Sequence, residues 1–252
     1  MDSIKKINII DFVRGICIFL MFYGHCIQHA SLGYISYFDN RVFRFIYSFH
    51  MPLFMIISGW CFSYSFFKRS LVDLLVHRIK SLIIPIISCG ILGFIFIKIF
   101  PSLLLQNSVY VSLLDVKECL NLFWFLWSVM ACSIPVAIAY KVANSRFIRM
   151  IILCLGLAVT CLFPNKTYNI YMYPYFIFGF VLSNNYKAKQ LNKYKKTICL
   201  ISDVVFIIML IFFKNDYYIY TTGIFGTNIK QFGIDIFRYI IGFAGSIAVC
   251  YV

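Results

Sequence analysis

Asp11, Arg14 and His25 stand inside an otherwise apolar stretch, Ile7 to Ala30, that is long enough to cross a bilayer as one helix. These side chains can do chemistry. An imidazole titrates near neutral pH, and a guanidinium offers fixed donors to a carboxylate, a phosphate or a developing oxyanion. At about 100° per residue the three fall within an arc of roughly 60° on one helix face. Arg14 and His25 are eleven residues apart, which is three turns and about 16 Å along the axis. His29 continues the stripe. Ionisable groups in a membrane span are costly and normally face a bundle interior or a wet cavity, so the stripe is a candidate site that the other helices are expected to wall in. The plainer reading makes His25 a hydrogen-bonded bundle residue and pairs Arg14 with Asp11 at i, i+3. For Arg14 the two roles are compatible.

The elements that must hold this stripe are hydrophobic throughout. Hydrophobic residues make up 62% of the 252 and charged residues 13%, with a mean hydropathy of +0.87. Soluble domains are roughly half apolar and a quarter charged, so a polytopic membrane protein is expected, buried in lipid. Eight apolar segments emerge, at 7–30, 43–67, 81–105, 119–140, 147–163, 168–183, 198–213 and 234–252. None shows the alternation of a barrel strand, so the fold expected is an all-α membrane bundle of about eight transmembrane helices. No internal repeat or soluble domain is visible, and residues 1–252 read as one integral-membrane domain whose carboxyl-terminal end, inside an apolar run, looks incomplete.

The net charge of +14 comes from basic residues in short connections. A nucleic-acid partner would need them gathered on one soluble face, so none is expected. The amino-terminus and even-numbered connections hold fourteen Lys and Arg, against six in the odd-numbered ones. That asymmetry places the amino-terminus in the cytoplasm. The lysine-rich connection at 187–196 is a solvated loop attracted to anionic membrane lipid. The ten cysteines form no C-x-x-C pair and lie mostly in apolar spans, which supports neither a disulfide framework nor a metal site. The first apolar run is too long and too charged for a cleaved signal peptide.

Other candidates lie further on. In the second segment, SFHMPLFMIISGWCFS, His50 precedes Pro52, and Ser58 and Gly59 allow close approach of a neighbour. His50 either orients a substrate or hydrogen-bonds across the proline kink. Arg78 and Lys80, in a basic start to the third helix, suit phosphates or lipid headgroups but also satisfy positive-inside topology. Trp124, in NLFWFLW, is an interfacial anchor or a donor contact.

Five pieces, IDFVRGICIFLMFYGH (10–25), FHMPLFMIISG (49–59), HRIKSLIIP (77–85), LFWFL (122–126) and YFIFGFVL (175–182), occur in an order that resembles membrane acyltransferase family 3, whose members O-acylate bacterial cell-surface glycans. The family's basic motif usually carries a further arginine where this chain has Ser81, and its members typically have about ten membrane helices. The resemblance implies transfer of an acetyl group from cytoplasmic acetyl-CoA to a sugar hydroxyl of a lipid-linked or surface polysaccharide, O-antigen or capsule, at the bacterial inner membrane. No bound cofactor is implied, acetyl-CoA being a substrate. His25 matches the family's essential histidine and Arg14 its first-helix arginine, with Asp11 beside it. Arg78 and Lys80 match the donor motif. Apart from the resemblance, Trp124 is a candidate donor contact, and His50 and Ser58 are candidate substrate contacts. Direct transfer and an acyl-histidine intermediate both fit. The rivals are a transporter or flippase of a lipid-linked glycan, for which an internal repeat would speak, and an inactive truncated remnant.

Overall fold

A computed structural model describes residues 2–30, 36–99, 115–185, 195–225 and 228–251, and among these every regular element is helical. The elements are α1 (Asp2–Ala30), α2 (Arg41–Lys68), α3 (Leu71–Arg78), a π turn (Ile79–Ile83) leading into α4 (Ile84–Ile99), α5 (Val116–Asn121) and α6 (Trp124–Val142). Then follow α7 (Arg146–Thr160), α8 (Lys166–Asn185), α9 (Lys195–Ile211), the short α10 (Ile219–Thr222) and α11 (Ile229–Tyr251). Each of the eight apolar segments falls on a helix. The third helix starts at Leu71, ahead of the apolar segment at 81 and just before the basic stretch 74–85 expected to open it, because Ser70 caps it: the hydroxyl accepts from the Asp73 amide at 3.2 Å and donates to Asp73 Oδ2 at 2.6 Å. Its end beyond Ile99 lies outside the described residues.

Among the described residues, five helices are long and apolar enough to span a membrane: Ile9–Ala30, Arg41–Lys68, Leu71–Ile99, Trp124–Val142 and Ile229–Cys250. Hydrogen bonds between connections constrain the other three. Asn165 donates to the Asn121 carbonyl at 3.3 Å. The third and fifth connections therefore share a membrane side, and α7 crosses back as α6 crosses out. Asn215 donates to Asp39 at 2.8 Å and the Tyr218 hydroxyl to the Phe38 carbonyl at 3.3 Å, so the first and seventh connections share a side too. With α2, the α3–α4 run, α6 and α7 lying between, α8 and α9 cross together or not at all. Their 20 and 17 residues suit crossing, since the hydrocarbon core needs about 20 and bilayers thin locally for shorter spans.

The chain gathers into two compact units, Met1–Cys61 with Phe178–Val252, and Phe62–Ile177. In the first, Val13 and Cys17 of α1 join Phe43, Phe49, Leu53 and Ile57 of α2, Phe206 of α9, and Ile241, Ala244 and Ala248 of α11 in one apolar cluster. Small residues set how closely these helices approach. A Cβ on Gly24 would lie 2.6 Å from the Tyr47 ring, and one on Gly245 would lie 2.6 Å from Phe49 Cβ. At Gly179 it would run into the Ile56 carbonyl oxygen. Backbone cannot rotate away as a side chain can, so Gly179→Ala should lower the melting temperature in detergent, with overpacking of this kind costing about 1–3 kcal/mol. Gly15→Ala, with nothing within 4 Å of the added carbon, should melt with the parent. Equal melting of the two variants would refute the close approach.

In the second unit, polar groups inside the helices find partners on neighbouring elements, as lipid demands. Ser128 donates to Asn169 Oδ1 at 2.7 Å, and the Asn169 amide donates to the Thr160 and Pro164 carbonyls at 3.0 and 2.9 Å.

Candidate active site

α1 packs through Val13, Cys17 and Gly24. Asp11, Arg14, His25 and His29 lie on the other side and are exposed. Arg14 Nη1 meets Asp11 Oδ1 at 3.4 Å, the two side chains being 50% and 61% exposed. His25 Nδ1 lies 3.2 Å from Gln28 Oε1, and its ring stacks on His29 with centroids 6.4 Å apart. With the amide oxygen accepting, Nδ1 carries the proton and Nε2 is the basic nitrogen. The expectation that other helices wall in the stripe is corrected among the described residues. The helix seats its small and apolar face, which can approach α2 closely, and leaves the charged face outward.

His50 is buried, and its Nδ1 donates to the Ile46 carbonyl at 2.7 Å. Pro52 leaves the Ser48 carbonyl without its helical donor, so the histidine bond is a separate one from the proline break. This bond fixes the tautomer and leaves Nε2 basic. The Tyr47 ring sits edge-on to His50 with centroids 4.7 Å apart, and it lies against Gly24, which precedes His25. Tyr47 thus links His50 to the stretch of α1 that carries His25. Ser58 is not brought to them. It lies eight residues beyond His50, about 12 Å along the helix, and its hydroxyl donates back to the Phe54 carbonyl at 2.8 Å.

In the second unit, Lys98 lies 5.5 Å from the Phe94 ring centroid, and three further cations at helix ends rest on aromatic faces. The Arg78 guanidinium lies 4.4 Å from the Phe62 ring centroid and Lys141 Nζ 4.5 Å from that of Phe66. Arg149 lies 4.4 Å from the ring of Tyr140. Lys141 also donates to the Arg69 carbonyl at 2.9 Å. Such contacts hold a cation in place without neutralising it. Lys80 is exposed in the π turn. Pro85, lacking an N–H, cannot serve the Ser81 carbonyl, and the widened turn falls on the residues before it.

Trp124 stands apart from Arg78. It opens α6 with its ring tilted on Tyr168, centroids 4.7 Å apart, whereas the basic group gathers at the other end of that helix. Seventeen residues separate Trp124 from Lys141, about 26 Å.

Sequence reasoning missed Lys141 and Arg149, counted only as loop charges, and the buried pair Asp235 and Arg238. The pair had a signal. Asp235-Ile-Phe-Arg238 repeats the spacing of Asp11-Phe-Val-Arg14, yet its side chains are 5% and 2% exposed, with Arg238 Nη1 3.1 Å from Asp235 Oδ1.

These features define a multi-pass helical membrane protein with an Asp–Arg–His face on its first span and a basic, aromatic-backed group at helix ends in its second unit. The family model for an acyltransferase domain (Acyl_transf_3) matches residues 7–252, and the chain belongs to that acyltransferase family. It is similar to nodulation protein NolL of Sinorhizobium fredii, 31% identical over 180 residues covering 69% of this chain and 48% of that protein. It is also similar to NolL of Mesorhizobium japonicum, 29% identical over 183 residues covering 69% and 47%. The chain spans about half the length of these curated relatives. No solved structure matches it.

Proposed function

We propose that the protein is a membrane O-acetyltransferase that moves an acetyl group from cytoplasmic acetyl-CoA to a sugar hydroxyl of a lipid-linked or surface polysaccharide, O-antigen or capsule, at the bacterial inner membrane. The observation that carries this reading is the acyltransferase family match along residues 7–252. In the reaction, His25 Nε2 takes the proton of the acceptor hydroxyl as its oxygen attacks the thioester carbonyl carbon. The carbon–sulfur bond then breaks, and CoA leaves as the thiol with the proton returned by the imidazolium. Arg14, held by Asp11, stabilises the oxyanion or anchors the donor. Arg78 and Lys80 meet the CoA phosphates. The fourteen-to-six charge asymmetry supports a cytoplasmic amino-terminus, with Arg14 toward the donor side and His25 deeper.

Deleting and restoring the gene should remove and restore the acetyl mass increment on the surface polysaccharide. An unchanged mass spectrum would refute the assignment. Replacing Arg78 and Lys80 together by Ala should raise the acetyl-CoA KM about tenfold or more, as loss of charge-assisted phosphate contacts of about 1.5–3 kcal/mol implies. Unchanged donor saturation would remove both residues from the donor site.

A further inference from the structure

The seventh connection, between α9 and α11, is closed around one buried side chain. Arg238 Nε donates to the Tyr217 carbonyl at 2.8 Å, and Nη2 donates to the Asp216 and Tyr218 carbonyls at 3.0 and 2.7 Å. Nη1 reaches the Gly223 carbonyl and Asp235. Gly223 delivers its carbonyl from φ +68° and ψ −158°, a conformation essentially restricted to glycine. Asp235 is held in turn, accepting from the Phe225 amide at 2.9 Å and from Gln231 at 3.0 Å. Burial pushes the Tyr218 hydroxyl up to about 12, so it stays protonated and tethers the connection to the Phe38 carbonyl.

This amount of fixation places one side chain. Tyr220, 40% exposed, stands edge-on to Tyr47 with ring centroids 5.9 Å apart. Tyr47 in turn lies against Gly24, the neighbour of His25, and against His50. The charged side chains of residues 215–238 are matched among themselves, Lys230 with Asp216 at 3.3 Å and Arg238 with Asp235 at 3.1 Å. What Tyr47 and Tyr220 offer beside the imidazoles is ring face and phenolic hydroxyl. A tyrosine ring presents an apolar face and a polar tip, the complement of a neutral pyranose, whose C–H face is apolar and whose rim is hydroxyl.

We propose that Tyr47 and Tyr220 form an acceptor-sugar subsite beside His25 and His50, with Arg238 as the positioning residue that holds Tyr220 there. This rests on the acyltransferase reading but is tested apart from it. Saturation-transfer NMR on the full chain in detergent, with methyl glycosides of neutral hexoses, 6-deoxyhexoses and N-acetylhexosamines as probes, should show transfer to the ring protons of at least one sugar. Tyr220→Ala, at an exposed position, should weaken that binding tenfold or more, and Tyr220→Phe should retain most of it. Arg238→Lys, or Gly223→Ala if that variant does not fold, should weaken it in the same direction. In transfer assays these variants should raise the acceptor KM and leave the acetyl-CoA KM unchanged. Absence of saturation transfer to every glycoside, or equal binding by the parent and Tyr220→Ala, would overturn the subsite. Sugar binding without any acetyl transfer would instead refute the proposed reaction and leave the subsite standing.

Discussion

Membranes carrying His25→Ala should transfer acetyl groups to glycan at least a hundredfold more slowly than parental membranes, with the protein inserted to the same level. A sugar hydroxyl is a poor nucleophile at neutral pH, and a positioned general base contributes about 10²–10⁴ in rate. The His25 ring is oriented by Gln28 at 3.2 Å, so the loss of function should come from the missing nitrogen. The side chain is exposed and its removal leaves no cavity, so expression and melting should be parental. Comparing transfer rate with membrane content by immunoblot separates the two effects. A slow rate with proportionally lost protein would assign His25 to stability instead.

The largest effect on stability is expected at Asp235. Removing one partner of a buried ion pair strands the other charge and typically costs 3–5 kcal/mol. Asp235→Ala leaves Arg238 buried with its carbonyl partners but without its counter-charge, and frees the Phe225 amide and Gln231 from their acceptor. Unfolding in detergent with added denaturant should show a loss of about that size. Asp11→Ala is the internal control, since it breaks the same i, i+3 pairing where the side chains are 61% and 50% exposed. A pair so exposed contributes at most about 1 kcal/mol. If the two substitutions destabilise equally, the buried pair does not organise the seventh connection as described.

The contrast between these pairs shows how far the sequence could be read. Hydropathy marks the helices, because lipid requires a long apolar run whatever the tertiary packing. The apolar run of the third helix begins only at 81, since Ser70 and Asp73 cap a first turn that carries charge. Helical periodicity aligned Asp11, Arg14 and His25 correctly, but it does not say which face of α1 is seated. That is decided by Gly24 against Tyr47, a contact between residues far apart in the chain. Arg78 and Trp124 lie in separate motifs that follow the second and third connections. Counting spans alone would have put them at opposite membrane sides. The spacing of Asp235 and Arg238 was visible, whereas the carbonyls of Asp216, Tyr217, Tyr218 and Gly223 that converge on the guanidinium are a property of the folded connection and leave no mark in composition or period.

The most direct test uses sealed inside-out membrane vesicles, with acetyl-labelled acetyl-CoA added to the exposed cytoplasmic face and glycan recovered from the interior. Parental vesicles should place label on glycan in the lumen, and His25→Ala vesicles should leave it on the donor. Luminal labelling at the parental rate in the His25→Ala vesicles would contradict a reaction that passes along the first helix.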